Sequence, residues 1–167
     1  MRYSENKLSR IVGRTDYLPA VVRKMVLTMA IGNIVRFVGT AGLKILELRA
    51  NRVHVRLDNA AKVQNHIGSA HAAAMALLAE TATGFVVGMS VPDDRVPVIK
   101  SLKVSYLKRA TGALEAVATL TDADIAQIKE TEKGEIVVPV VVTDEDGKEP
   151  ITCEMIWAWT PKRRTSR

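Results

Sequence analysis

One stretch constrains this chain more than any other: Ser69-Ala-His-Ala-Ala-Ala-Met-Ala-Leu-Leu-Ala-Glu80-Thr-Ala-Thr-Gly84. A serine stands at the N-cap position, a glycine closes the far end, and almost nothing between them is polar. A helix that is apolar nearly all round must be buried nearly all round. Its alanines favour the helix and let other backbones come close. The segment therefore predicts a central helix with a sheet wrapped around it.

The flanking sequence supplies the strands of that sheet. Leu43 to Arg49 and Arg52 to Asp58 alternate, with Val53, Val55 and Leu57 on one side and Arg52, His54 and Arg56 on the other, and they predict a hairpin turning near Ala50-Asn51. After Gly84, strand-like segments are expected at Phe85 to Val91, Val98 to Leu107, Ala113 to Leu120, Glu135 to Thr143 and Ile151 to Trp159. The last two flank Asp144-Glu-Asp-Gly147, a hairpin turn signal, and Pro139 implies an edge position or a bulge. Thr121 and Asp124 open a short polar helix by a capping-box pattern.

Upstream, Val22, Val26, Met29, Ile34 and Phe37 recur at roughly helical spacing between Pro19 and Val38, with Gly32 a mild interruption and Gly39 a stop. This amphipathic helix is expected to pack against the domain's own sheet or a partner subunit rather than a membrane surface. With no internal repeat or linker, residues 1–167 read as one α+β domain, carrying a helical extension at 1–38 and a basic tail at 162–167.

At 47% hydrophobic and 25% charged residues the chain is neither disordered nor membrane-embedded. Its net charge is +6, but Lys162 to Arg167 holds four basic residues and no acid, so the remainder carries only +2. The tail is read as solvated, not as a nucleic-acid arm. Met25 to Val35 is uncharged yet too short to span a bilayer, and it begins too far inside the chain for a signal peptide. The single Cys153 excludes an internal disulfide and suits a buried strand in a reducing compartment, so a cytoplasmic protein is expected.

Two polar residues interrupt the apolar helix, His71 in its first turn and Glu80 near its last. A carboxylate without a partner in such surroundings acquires one, raises its pKa, or meets water in a cleft. Nine residues at about 100° each place the two on opposite sides, roughly 13 Å apart along the axis. They can meet only across a two-fold axis that sets two such helices antiparallel, so a site using both would be shared by two chains. The helix N-terminus offers free N–H groups to a developing oxyanion. Gly68 lets the chain turn there, and Asn65 could orient a water or a carbonyl. His66 and His71, five apart, do not suit one metal, and no other ligand cluster exists, so no metal site is expected.

Asn65-His-Ile-Gly68-Ser-Ala-His71-Ala-Ala, followed by Glu80-Thr-Ala-Thr-Gly84, resembles the hotdog-fold thioesterases, particularly the phenylacetate-degradation and 4-hydroxybenzoyl-CoA type. That family's pattern runs Asn-x-x-Gly-x-x-His-Gly-Gly, then Asp or Glu, then x-Ala-x-Gly. The later segment from Leu102 through Gly112 to Ala116 looks like its next strand pair, and the resemblance spans about Leu43 to Trp159.

The resemblance implies an antiparallel sheet around the central helix, dimers with a continuous sheet, and often tetramers. It implies Glu80 as general base or nucleophile, the N–H near Ala72 as polariser of a thioester carbonyl, Asn65 as positioner of water or substrate, and His71 as shaper of the helix start. Lys108 and Arg109 are candidate contacts for the phosphates of CoA, which enters as part of the substrate; no separate cofactor is expected. Two departures matter. His-Gly-Gly becomes His71-Ala72-Ala73, placing methyl groups where substrate would approach, and the Ser or Thr that some members use after the helix has Ser101 as its nearest counterpart. An acyl-CoA thioesterase is therefore the leading expectation. A non-catalytic acyl-thioester-binding protein and a hotdog dehydratase stay open beside it.

Overall fold

A computed structural model describes residues 6–162. The three basic residues of the expected tail that follow Lys162 lie outside the described residues. The central helix, α4 (Ala72–Gly88), forms the middle of the core: Leu78, Ala79, Ala82, Val86 and Val87 are fully buried. It packs against both of the sheet systems that surround it. One has the strand order β1 (Lys44–Leu48), β2 (Arg52–Leu57), β4 (Leu114–Thr119), β6 (Val140–Asp144); the other runs β3 (Arg95–Tyr106), β7 (Ile151–Pro161), β5 (Gly134–Val138). All pairings are antiparallel.

Only Pro139 separates β5 from β6. The expected single strand from Glu135 to Thr143 is thus two: β5 pairs with β7, while β6 pairs with β4. A proline cannot donate to a ladder, and the strand changes partners at that residue. The sheet bends around the helix through this junction. The Asp144–Gly147 turn closes as expected, with Gly147 N–H donating to the Asp144 carbonyl. Asp144 N–H also donates to the Lys148 carbonyl across the turn, but β6 runs beside β4 and it is β5 that pairs with β7.

The expected hairpin between Leu43 and Asp58 forms as β1 and β2, with Val53, Val55 and Leu57 fully buried. The polar helix also forms, as α5 (Asp122–Glu130), and both halves of the Thr121–Asp124 capping box are made. Arg95 closes its other end by donating to the carbonyls of Ile128, Lys129 and Thr131, a cation placed at the negative pole of a helix.

Three expectations about the central segment fail. The central helix does not stop at Gly84 but continues through Gly88, so the strand expected at Phe85 to Val91 does not exist. Gly84 is there for another reason: a Cβ on it would lie 2.7 Å from the Trp157 ring, which is held by an indole N–H donated to Thr83 Oγ1 at 2.9 Å. Ser69 is not the N-cap. His71 is, its Nδ1 accepting from Ala73 N–H at 3.0 Å.

Among the described residues the N-terminal extension forms three helices instead of one: α1 (Lys7–Gly13), α2 (Ala20–Ile34) and α3 (Arg36–Ala41). Val35, in extended conformation, breaks the chain between the last two, and the stop is Gly42 at φ +76° rather than Gly39. Val12, Leu27, Ile31, Val38 and Ala41 are its buried apolar residues, whereas Val22, Met29, Ile34 and Phe37, expected to pack inward, are exposed.

Candidate functional site

The loop leading into α4 is built by Asn65. Its Oδ1 accepts from Ile67 N–H and Ser69 N–H, both at 3.1 Å, and its backbone N–H donates to the Ser69 carbonyl. Gly68 turns the loop at φ +73°, a conformation that other residues rarely adopt. Ser69, buried, donates its hydroxyl to the Ala110 carbonyl at 2.8 Å. Arg109 closes the arrangement from the far side, donating from Nε to Ser69 Oγ at 3.0 Å and from Nη2 to the Ile67 carbonyl at 2.7 Å.

Asn65 and Arg109 are therefore engaged in holding this loop. Asn65, expected to position water or substrate, has its Oδ1 occupied by two backbone N–H groups, and two Arg109 donors are committed before any phosphate arrives. Sequence reasoning missed this clamp, although Ser69 and Arg109 both stood in the segments it singled out. Lys108 is exposed, and no partner of its ammonium group is found among the described residues.

The loop delivers an N-terminus to α4 whose donors are unequally occupied. Ala74 and Met75 N–H both donate to the His71 carbonyl, and Ala73 N–H is taken by the His71 ring. Ala72 N–H has no partner among the described residues, and Ala72 is exposed. The Ala72 carbonyl accepts from Tyr106 Oη at 2.8 Å, which ties the helix start to the end of β3. One free N–H thus points out of a well-fixed helix start, at the residue that the sequence singled out.

Two turns along, Glu80 stands half-buried on the same helix, without a hydrogen-bond or ion-pair partner among the described residues. Burial alone pushes its pKa above the ordinary carboxylate value. It borders an apolar cavity of about 290 Å³ with Gly84 and Trp157, walled on the other side by Val35 and Val38 and by Leu8 of α1. Helical rise separates Glu80 from Ala72 N–H by roughly 12 Å, so one chain does not bring them together.

Ser101 is half-buried on β3, opposite Ile156 and next to a bulge at Lys100. Cys153, half-buried on β7, has its thiol pushed up to about 11 by burial, which keeps it protonated and inert near neutral pH. Among the described residues no three His, Cys, Asp or Glu side chains stand close enough to hold a metal, and no helix is long and apolar enough to cross a membrane.

The architecture, a long helix wrapped by antiparallel sheet, is the hotdog fold. A Pseudomonas aeruginosa protein of unknown function, described as a probable thioesterase, superposes with TM-score 0.73 at 24% identity, over 83% of this chain and 95% of its own. A thioesterase from Haemophilus influenzae superposes with TM-score 0.66 at 12% identity, over 99% of this chain and 100% of its own. A thioesterase family protein from Silicibacter pomeroyi does so with TM-score 0.65 at 16% identity, over 81% and 96%. At these identities the likeness is one of fold. No curated protein matches the sequence. The model of a domain of unknown function, DUF4442, matches residues 23–159, from α2 to the end of the sheet, and the chain belongs to that family.

Proposed function

We propose that this chain is a thioesterase that hydrolyses an acyl-CoA, with its active site shared between two protomers. The observation that carries this reading is Glu80: a carboxylate without a partner, its pKa raised by burial, at the edge of an apolar cavity. A raised pKa makes a carboxylate a better base near neutral pH. Glu80 takes a proton from water, the hydroxide adds to the thioester carbonyl, and the oxyanion is held by the Ala72 N–H of the other protomer. Collapse of the adduct breaks the C–S bond, expels the thiolate, and leaves the acid. In the variant of this route Glu80 itself adds to the carbonyl, the C–S bond breaks to give an acyl anhydride and the thiolate, and water then cleaves the anhydride to the acid and free Glu80.

The dimer is supported by the strand order. β3 is an edge strand of twelve residues whose far side is unpaired among the described residues, and Val96, Val98, Leu102 and Tyr106 lie exposed along it. The β1 edge is different, because Thr28 of α2 accepts from Ile45 N–H there. A long bare edge with apolar side chains is a surface that pairs. Asn65, Gly68 and His71 fix the helix start, Lys108 and the remaining donors of Arg109 meet the CoA phosphates, and the names of the similar structures support the reaction class. The resemblance of the Asn65–Gly84 motif to the phenylacetate-degradation and 4-hydroxybenzoyl-CoA type supports CoA as the thiol.

The test is thiol release from a panel of acyl-CoA substrates by the wild type and by Glu80→Gln. The expected result is a loss of at least about a hundredfold in kcat for the variant; equal turnover overturns the assignment of Glu80. One observation favours a second reading, a non-catalytic acyl-thioester binder: the His71 ring occupies Ala73 N–H, leaving one free donor beside two methyl groups. Tight acyl-CoA binding without turnover at any chain length would establish it.

A further inference from the structure

The helix α2 is apolar on two opposite faces, and the domain covers only one. Leu27 and Ile31 are buried at 3% and 2% exposure. On the other side Val21, Met25 and Met29, at four-residue spacing and preceded by Tyr17 in the turn before the helix, are 81%, 58%, 61% and 82% exposed. Phe37 of α3 adds a ring at 62% exposure. Single exposed apolar residues are ordinary, but a contiguous stripe of this kind marks a contact surface.

The charge around the stripe says what kind of contact. Residues 7–44 contain seven basic residues and one acid, a net +6, whereas residues 45–161 contain twelve basic and sixteen acidic residues, a net −4. The near-neutral average of the chain without its tail therefore conceals a cationic extension on an anionic domain. Arg10 is paired with Asp93 and Lys44 with Asp58. Arg14, Lys24 and Arg36 have no carboxylate partner among the described residues, and Arg36 lines a cleft between α2 and α3 together with Met29. A two-fold contact through this face would set these cations against their own copies. Nucleic acid would leave the methionines, valines and aromatic rings unused.

An anionic lipid surface satisfies both halves, with the apolar side chains entering the acyl boundary and the cations meeting lipid phosphates. We infer that the outer face of α2 and α3 docks the protein peripherally onto anionic membranes. This contact is independent of the thioesterase reading. The helix packs on the domain's own sheet as expected, but through Leu27 and Ile31; Val22, Met29, Ile34 and Phe37, which carried that expectation, are exposed. The extension that would lie on the lipid also walls the cavity beside Glu80, through Leu8, Val35 and Val38.

The experiment is co-sedimentation of the full chain with phosphatidylcholine vesicles, with and without one-third phosphatidylglycerol, at low and high salt. Binding is expected to the anionic vesicles and to weaken with salt. Met25→Asp/Met29→Asp and Lys24→Glu/Arg36→Glu should each lower it by about tenfold or more while leaving the circular dichroism spectrum unchanged, since all four side chains are exposed. Deleting residues 163–167 separates the tail from the face and should leave binding in place. The inference is overturned by absence of vesicle binding, by equal binding to neutral vesicles, or by loss of binding on tail deletion alone. It is equally overturned if the Met25/Met29 variant changes the oligomeric state and not vesicle binding, which would make the face a contact between copies.

Discussion

Glu80 was legible as a residue because its neighbours are alanine and leucine, and a carboxylate among them has to be explained. Its environment was not legible, since the cavity is walled by Leu8, Val35 and Val38, more than forty positions upstream, and by Trp157 far downstream. The environment makes a separate prediction. Burial raises the folded-state pKa of Glu80, so the folded chain holds this proton more tightly than the unfolded chain. Stability from this group is then greatest below its ordinary value of 4.5 and is lost as pH rises through the folded-state pKa. Glu80→Gln should unfold at a higher temperature than wild type at neutral pH, with the gain shrinking to nothing as pH falls below 4.5; thermal melts across that range measure it. A variant both more stable and inactive has the signature of a group retained for function. Arg109 gives the opposite case. Its two bonds to Ser69 and Ile67 predict that Arg109→Ala loses about 1–2 kcal/mol in a urea titration, while Lys108→Ala loses nothing measurable. If Arg109 served only CoA, both would unfold alike.

At the scale of elements, periodicity located most helices and strands but misjudged the meaning of glycine. Gly84 and Gly39 both looked like helix stops, and both lie inside helices because another part of the structure needs the space above their Cα atoms. At Gly84 the occupant is Trp157, seventy-three residues later in the chain; at Gly39 it is the Gly32 carbonyl of α2, 2.6 Å from where a Cβ would be. A local pattern contains neither partner. Gly84→Ala and Gly39→Ala should therefore destabilise the fold by about 1–3 kcal/mol each, since the Trp157 ring is anchored to Thr83 and a backbone carbonyl cannot step aside. Gly68→Ala meets nothing within 4 Å and is costly through its positive φ alone. Denaturant midpoints of the three variants, with m-values compared, separate crowding from backbone strain. The split at Pro139 was half legible for the same reason: proline announced an interruption, but which strands the two halves joined depended on the curvature of the whole sheet.

At the scale of the molecule, the helix wrapped by a sheet followed from one apolar segment, because only burial on every side can accommodate it. What that segment cannot specify is how many chains complete the site. Glu80 and Ala72 N–H are eight residues apart on a straight helix, a separation of roughly 12 Å that no side-chain rotation closes within one protomer. Shared catalysis therefore requires the bare β3 edge, or another face, to bring two helices together. Charges on an edge strand oppose pairing, and Val98 and Leu102 are exposed, so lysines there leave the core intact. Val98→Lys/Leu102→Lys is expected to run as a monomer in light scattering, to keep its thermal midpoint within a few degrees of a Lys100→Ala control, and to lose thioesterase activity with Glu80 and the helix start both unchanged. A folded monomer that still hydrolyses acyl-CoA would mean that Glu80 finds its oxyanion donor within its own chain, and the shared site would have to be abandoned while the hotdog fold stood.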